Sequence, residues 1–193
     1  MSVAGRYPPG DTAEAAWVGE VLRFWFEELG ESEWFAKDHH IDAQIRQRFL
    51  TLHGQIASLD ARDAATPRAL LAAVIVLDQF SRNLYRDSPR AYVADPMARR
   101  LSRAAIGEGF DAAMTDSERM FLYLPFEHSE NRDDQADSVR LFTQLGNDKW
   151  TEYAVAHQRI IERFGRFPHR NAILGRQSSA AELALLQDPM GSF

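Results

Sequence analysis

The stretch Thr66–Tyr85, TPRALLAAVIVLDQFSRNLY, decides the fold class. Thr66 followed by Pro67 is an N-cap with proline at the first helical position, where the missing N–H is one the helix could not have paired. The nine residues Ala69–Leu77 are all apolar. A helix apolar on nearly every side belongs in the centre of a core. The run ends abruptly at Asp78, with Gln79, Arg82 and Asn83 beyond it at the three-to-four spacing that puts side chains on one helix face.

Working outward, helix signals recur and strand alternation does not. The spacing predicts a first helix over 12–29, capped by Asp11 and Glu14 and carrying an aromatic face of Trp17, Val21, Phe24 and Phe26. A second helix is predicted over 38–58, with Ile41, Ile45, Phe49, Leu52 and Ile56 at helical period. DPMARRLSRAAIGEG reads as a fourth helix stopped by Gly107 or Gly109. Thr115 and Glu118 have the spacing of a capping box and open a fifth, which Pro125 is expected to end or kink. The segment FEHSENRDDQ is then irregular or a new turn. Further helices are expected near 133–145, 148–164 and 179–187, the last opened by a second capping box. Eight helices on short connections make an all-α array in one domain, 1–193, with a flexible N-terminus over about 1–11. No repeat period near 34 residues is evident.

Composition narrows the function. Twenty-eight acids against 22 bases give a net charge of −6 and argue against nucleic-acid binding. No cysteine is present, so thiolate catalysis and cysteine-ligated zinc are excluded, and nothing in the residues calls for a metal or another cofactor. No run approaches a transmembrane helix, so the expectation is a cytoplasmic protein without membrane contact.

Three blocks carry ionisable groups into apolar surroundings. In the first, Asp78 at the end of the central helix requires a partner such as Arg82, either as a structural ion pair or as part of a cavity wall. In the second, Glu127, His128, Glu130 and Asn131 come after the helix broken at Pro125 and are either a site or a solvated, capping loop. In the third, His157 shares an apolar helix face with Trp150, Tyr153, Ile160 and Phe164, and the arginine-rich turn RFPHRNAILGR comes next. That turn presents planar guanidinium donors suited to carboxylate or phosphate.

The strings LDQFSRNLYR (77–86), LPFEHSE (124–130) and FGRFPHRNAILGR (164–176), in this order, resemble the signature blocks of an uncharacterised, mainly bacterial family built on a domain of unknown function, DUF 924. The resemblance runs from VLRFWF in the first helix to SSAAELALL near the end. It implies a tetratricopeptide-like (TPR-like) fold of antiparallel helix pairs stacked into a right-handed array with a concave face, and it brings no established activity. The family's recurring polar residues match here at Asp78, Gln79, Arg82, Asn83, Arg86, Glu127, His128, Glu130, His157, Arg166, His169, Arg170, Asn171 and Arg176.

These residues suggest a polar, arginine-lined pocket for a small anionic ligand or the carboxylate of a peptide or protein partner. Arg82, Arg166 and Arg170 are the expected anion contacts, held by Asp78, Glu127 and Glu130. One alternative is a hydrolytic enzyme using His128, His157 or His169 with Glu127 or Glu130, either as acid/base partners or as metal ligands. Another is a protein-interaction scaffold whose polar blocks serve only the fold.

Overall fold

The computed structural model describes residues 14–58 and 66–187, so the expected flexible N-terminus and the Asp11 cap lie outside the described residues. All regular structure in the described residues is helical: α1 Ala16–Arg23, α2 His39–Ala57, α3 Pro67–Ile75, α4 Asp95–Gly107, α5 Asp116–Glu127, α6 Arg132–Leu145, α7 Asp148–Phe164 and α8 Ala180–Leu186. None of these helices is long and apolar enough to cross a membrane.

Local chemistry explains most of the helix starts. Asp38 accepts a hydrogen bond from the His40 amide, and Thr66 accepts one from that of Ala69. Thr115–Glu118 and Ser179–Glu182 form complete capping boxes. Asn131 opens α6 by accepting from the amides of Asp133 and Asp134. Each satisfies amides that have no intrahelical acceptor.

Two helices continue in a wider turn that the sequence pattern does not announce. After α1 the chain forms a π-turn over Phe24–Glu28. After α3 it forms one over Val76–Phe80, then an α-helical turn, Ser81–Leu84. A π-turn adds one residue to the helical repeat and shifts the register of the residues beyond it. All five residues of the second π-turn are buried, Asp78 and Gln79 among them.

The expectation at Pro125 is corrected. α5 runs through it to Glu127, and every residue from Met120 to Glu127 is buried. The proline deletes one helical hydrogen bond in the last turn, where core packing on all sides holds the backbone helical. The first helix also starts later than expected, at Ala16, and its N-cap residue Ala15 offers no side-chain cap.

The segment 67–84 is central, touching α1, α2, α4 and α5. Its Phe80 ring lies 4.9 Å from Phe49 and 5.6 Å from Trp25, which packs edge-on to Phe121 at 5.3 Å. Helices α5, α6 and α7 pack consecutively, each on the next. That arrangement is compatible with TPR-like hairpins. A small satellite core of Ile160, Ile161 and Phe167 lies under the turn after α7. Gly165, at φ +70°, ends α7 in the left-handed region that a side chain would strain, and so turns the chain into the 166–176 segment.

Candidate functional site

The π-turn of the central segment supplies the first wall. Asp78 is 1% exposed and accepts from three sides. Arg82 Nη1 lies 3.0 Å from it, Gln79 Nε2 donates at 2.6 Å, and His128 Nδ1 sits 3.0 Å from both carboxylate oxygens. Burial alone would raise the Asp78 pKa, but the charge of Arg82, the neighbouring His128 and the hydrogen bonds from His128 and Gln79 outweigh it and hold the carboxyl well below its usual range. A carboxylate only accepts, so the proton of neutral His128 is on Nδ1.

The end of α5 supplies the second wall. Gln135 on α6 donates to the carbonyls of Glu127 and Ser129, at 2.7 and 2.6 Å, and so closes the C-terminus that places Glu127 and His128. Glu127 is buried with no arginine beside it. Burial and then the Asp78 charge push its carboxyl up to about 8. Its Oε1 lies 3.4 Å from His157 Nδ1, a nitrogen that also bonds the Tyr153 carbonyl at 2.9 Å. Burial drives His157 down to about 3. The contact has the geometry of an ion pair, yet near pH 7 both partners are neutral, because neither charge finds enough compensation in the interior to offset its desolvation.

The turn after α7 supplies the third wall. Arg170 is 7% exposed, lies between the Tyr92 and Phe167 rings at 4.6 Å from each, and donates through Nη2 to the His128 carbonyl at 2.9 Å. Asp95 Oδ2 is 3.8 Å from its Nη1, too far for a hydrogen bond. Its Nε is enclosed and also lacks an acceptor among the described residues. Asp95 is a hub that the sequence pattern does not mark, since it accepts from Arg82 at 3.2 and 3.4 Å. An Asp-Pro at a helix start reads as helix-terminus chemistry, and only the tertiary fold brings Arg82 and Arg170 to it.

Against the second and third of these walls, with the first buried behind them, lies an open cleft of about 420 Å³, lined by Tyr92, Asp95, Pro96, Arg99, His128, Ser129, Glu130, Asn131, Arg170 and Leu174. Tyr92 and Arg99 carry no sequence signal that marks them as part of a site.

The other expected residues divide. His169 lies beside this network, where burial and then the Arg170 charge lower its pKa to about 4. Glu130 faces the cleft but is held by Arg176 through both carboxylate oxygens, at 2.8 and 2.9 Å, and accepts from the Phe167 amide at 2.8 Å. Arg166 points the other way, onto Glu182 at 2.7 and 3.0 Å, and Asn171 donates to Ser178 and Glu182. Asn83 and Arg86 leave the cluster altogether and bind Asp42 on α2, at 2.7–2.8 Å. Among the described residues no group of three or more histidine and acid side chains is placed to hold a metal ion.

What the arrangement offers chemically is one buried guanidinium with spare donors beside an Asp–His pair, all reached from one open face. The family model described as bacterial protein of unknown function (DUF924) matches residues 21–190. Among solved structures, a protein of unknown function from Agrobacterium tumefaciens, ATU0120, is 36% identical, with a TM-score of 0.81 over 88% of this chain and 96% of that one. No curated protein matches. Residues of the second and third sequence blocks line this cleft, with Asp78 of the first behind it, and the match across nearly the whole chain places this protein in the DUF924 family.

Proposed function

We propose that the cleft binds a small carboxylate or similar anion, free or as the end of a peptide, with Arg170 as the anchoring cation. The observation that carries this reading is the state of Arg170. Its Nη1 makes no hydrogen bond within the described residues and is not enclosed, unlike Nε, so it is a donor that solvent or a ligand reaches. The rings of Tyr92 and Phe167 hold the guanidinium in place before any ligand arrives, which lowers the entropy lost on binding. Arg99, the second cation of the cleft, engages Asp134 through Nε at 3.2 Å. Arg166 and Arg86, by contrast, are engaged with acids of this chain, as are both terminal nitrogens of Arg176, which favours a structural role for them.

Thermal unfolding with succinate, acetate and inorganic phosphate tests the reading. A ligand that binds only the folded state adds about 2.7 kcal/mol at one hundred times its dissociation constant. For a chain of this size that is roughly 5 to 10 °C. Arg170→Lys keeps the charge but loses the planar guanidinium that the Tyr92 and Phe167 rings and the His128 carbonyl hold in place, so the shift should vanish in that variant. No shift with any of the three anions, or an equal shift in Arg170→Lys, overturns the proposal.

A further inference from the structure

The anion reading leaves the Asp78–His128 pair without a task, although its geometry is more specific than ion pairing needs. Asp78 is itself fixed by Arg82 and Gln79, and it orients the His128 ring through Nδ1. The opposite nitrogen, Nε2, has no hydrogen-bond partner within the described residues and is not among the enclosed polar atoms. The side chain keeps 16% of its surface open and lines the cleft. Arg170 donates to the carbonyl of this same residue, so its guanidinium and the imidazole face the same cleft.

We infer that the cleft is catalytic, with His128 acting as general base for water in the hydrolysis of an acyl ester whose own carboxylate is held by Arg170. The inference rests on the anion reading. Water is the nucleophile because the serine lining the cleft, Ser129, is 2% exposed and donates its hydroxyl to Asp134 at 2.6 Å. His128 Nε2 takes a proton as the water oxygen bonds to the acyl carbon, and the carbonyl electron pair moves onto its oxygen. Asp78 stabilises the imidazolium that forms, and Arg99, which lines the same cleft, is the cation assigned to the oxyanion. Collapse of the tetrahedral species breaks the ester C–O bond, and the proton on Nε2 passes to the departing oxygen. The sum is ester plus water giving acid plus alcohol, with the enzyme unchanged. Burial keeps His128 below its ordinary pKa against the pull of Asp78, so the ring is in its basic form at neutral pH.

The test uses the full chain with 4-nitrophenyl hydrogen succinate, and 4-nitrophenyl propionate as the uncharged control. Hydrolysis of the succinate ester should exceed the buffer rate, fall by about 100-fold or more in His128→Asn, and lose its preference over the propionate ester in Arg170→Lys. Because a variant can fail to fold, the wild-type protein is also treated with diethyl pyrocarbonate and mapped by peptide mass. His128 should be labelled, succinate should slow the labelling, and hydroxylamine should restore the lost hydrolysis. No hydrolysis above buffer, full activity in His128→Asn, or an unlabelled His128 overturns the inference. If succinate still raises the unfolding temperature while hydrolysis is missing, only this inference falls; if the thermal shift is missing as well, the anion reading falls with it.

Discussion

Two regions of this molecule are assembled from arginines and acids, and they treat charge differently. In the turn after α7 each acid faces one arginine with both oxygens engaged, Glu130 with Arg176 at 2.8 and 2.9 Å and Glu182 with Arg166 at 2.7 and 3.0 Å. Behind the cleft the sharing is uneven. Asp78 takes an arginine, the neutral His128 ring and an amide, Asp95 reaches Arg82 but stands 3.8 Å from Arg170, and Glu127 has no arginine partner among the described residues. A saturated pair has no free donor or acceptor to offer and serves to hold a loop. An uneven network leaves a buried donor and perturbed acids, which is where ligand chemistry is found.

The largest effect that distinguishes the regions is expected at Asp78. Asp78→Ala leaves Arg82 and the His128 ring without their buried acceptor and should cost about 3 kcal/mol of unfolding free energy, read by urea denaturation. A loss below about 0.5 kcal/mol is the figure for a solvated surface pair and would erase the contrast between the two regions.

The second effect is an alkaline loss of stability that the turn after α7 does not share. Glu127, with a folded value of about 8 against an ordinary value of 4.5, binds a proton on folding between those limits. Its contribution to stability is complete below 4.5 and is lost as pH rises towards 8. His157 is depressed from 6.5 to about 3, so the folded state binds fewer protons there and stability rises with pH across that window. The two slopes oppose and nearly cancel between 4.5 and 6.5. Above 6.5 only Glu127 remains, and stability should fall by roughly 2 kcal/mol up to pH 8. Glu127→Gln keeps the shape without the titration, and denaturation at several pH values should show the alkaline fall removed. An unchanged fall in that variant would show that Glu127 is ionised throughout, and the cleft network would then resemble the saturated pairs.

How far the sequence revealed this contrast depends on how local each signal is. The starts of α2, α3, α5 and α8 are legible because the cap and the amide it satisfies are two or three residues apart. The π-turn at Val76–Phe80 is not, since a wider turn is stabilised by the packing of Phe80 against Phe49 and Trp25 rather than by its own residues. The pairing of Asp78 with Arg82 is legible from helical spacing. Asn83 is one residue, and so about 100° round the helix, from Arg82, and Arg86 lies past the helix end at Leu84, so both reach Asp42 instead. Asp95, Tyr92 and Gln135 belong to the cleft through contacts 8 to 78 positions away in the chain, and no spacing rule reaches them.

The smallest expected effect is the sharpest comparison, because the same substitution is placed at two arginines of one turn. Arg176→Lys keeps the cation beside Glu130 and so preserves the charge facing the cleft, but it gives up one of the two parallel hydrogen bonds. Both side chains of this pair are about a quarter exposed, 24% for Arg176 and 29% for Glu130, so solvent screens the loss and the change should stay under about 1 kcal/mol. Succinate should still raise the unfolding temperature as it does in the wild type. Arg170→Lys reverses the ligand response: there the thermal shift disappears, because lysine lacks the planar guanidinium that the two rings and the His128 carbonyl hold with one terminal nitrogen open. If Arg176→Lys also abolished the succinate shift, Arg176 would belong to the binding site, and an arginine saturated by an acid of its own chain would no longer be a sign of a structural role.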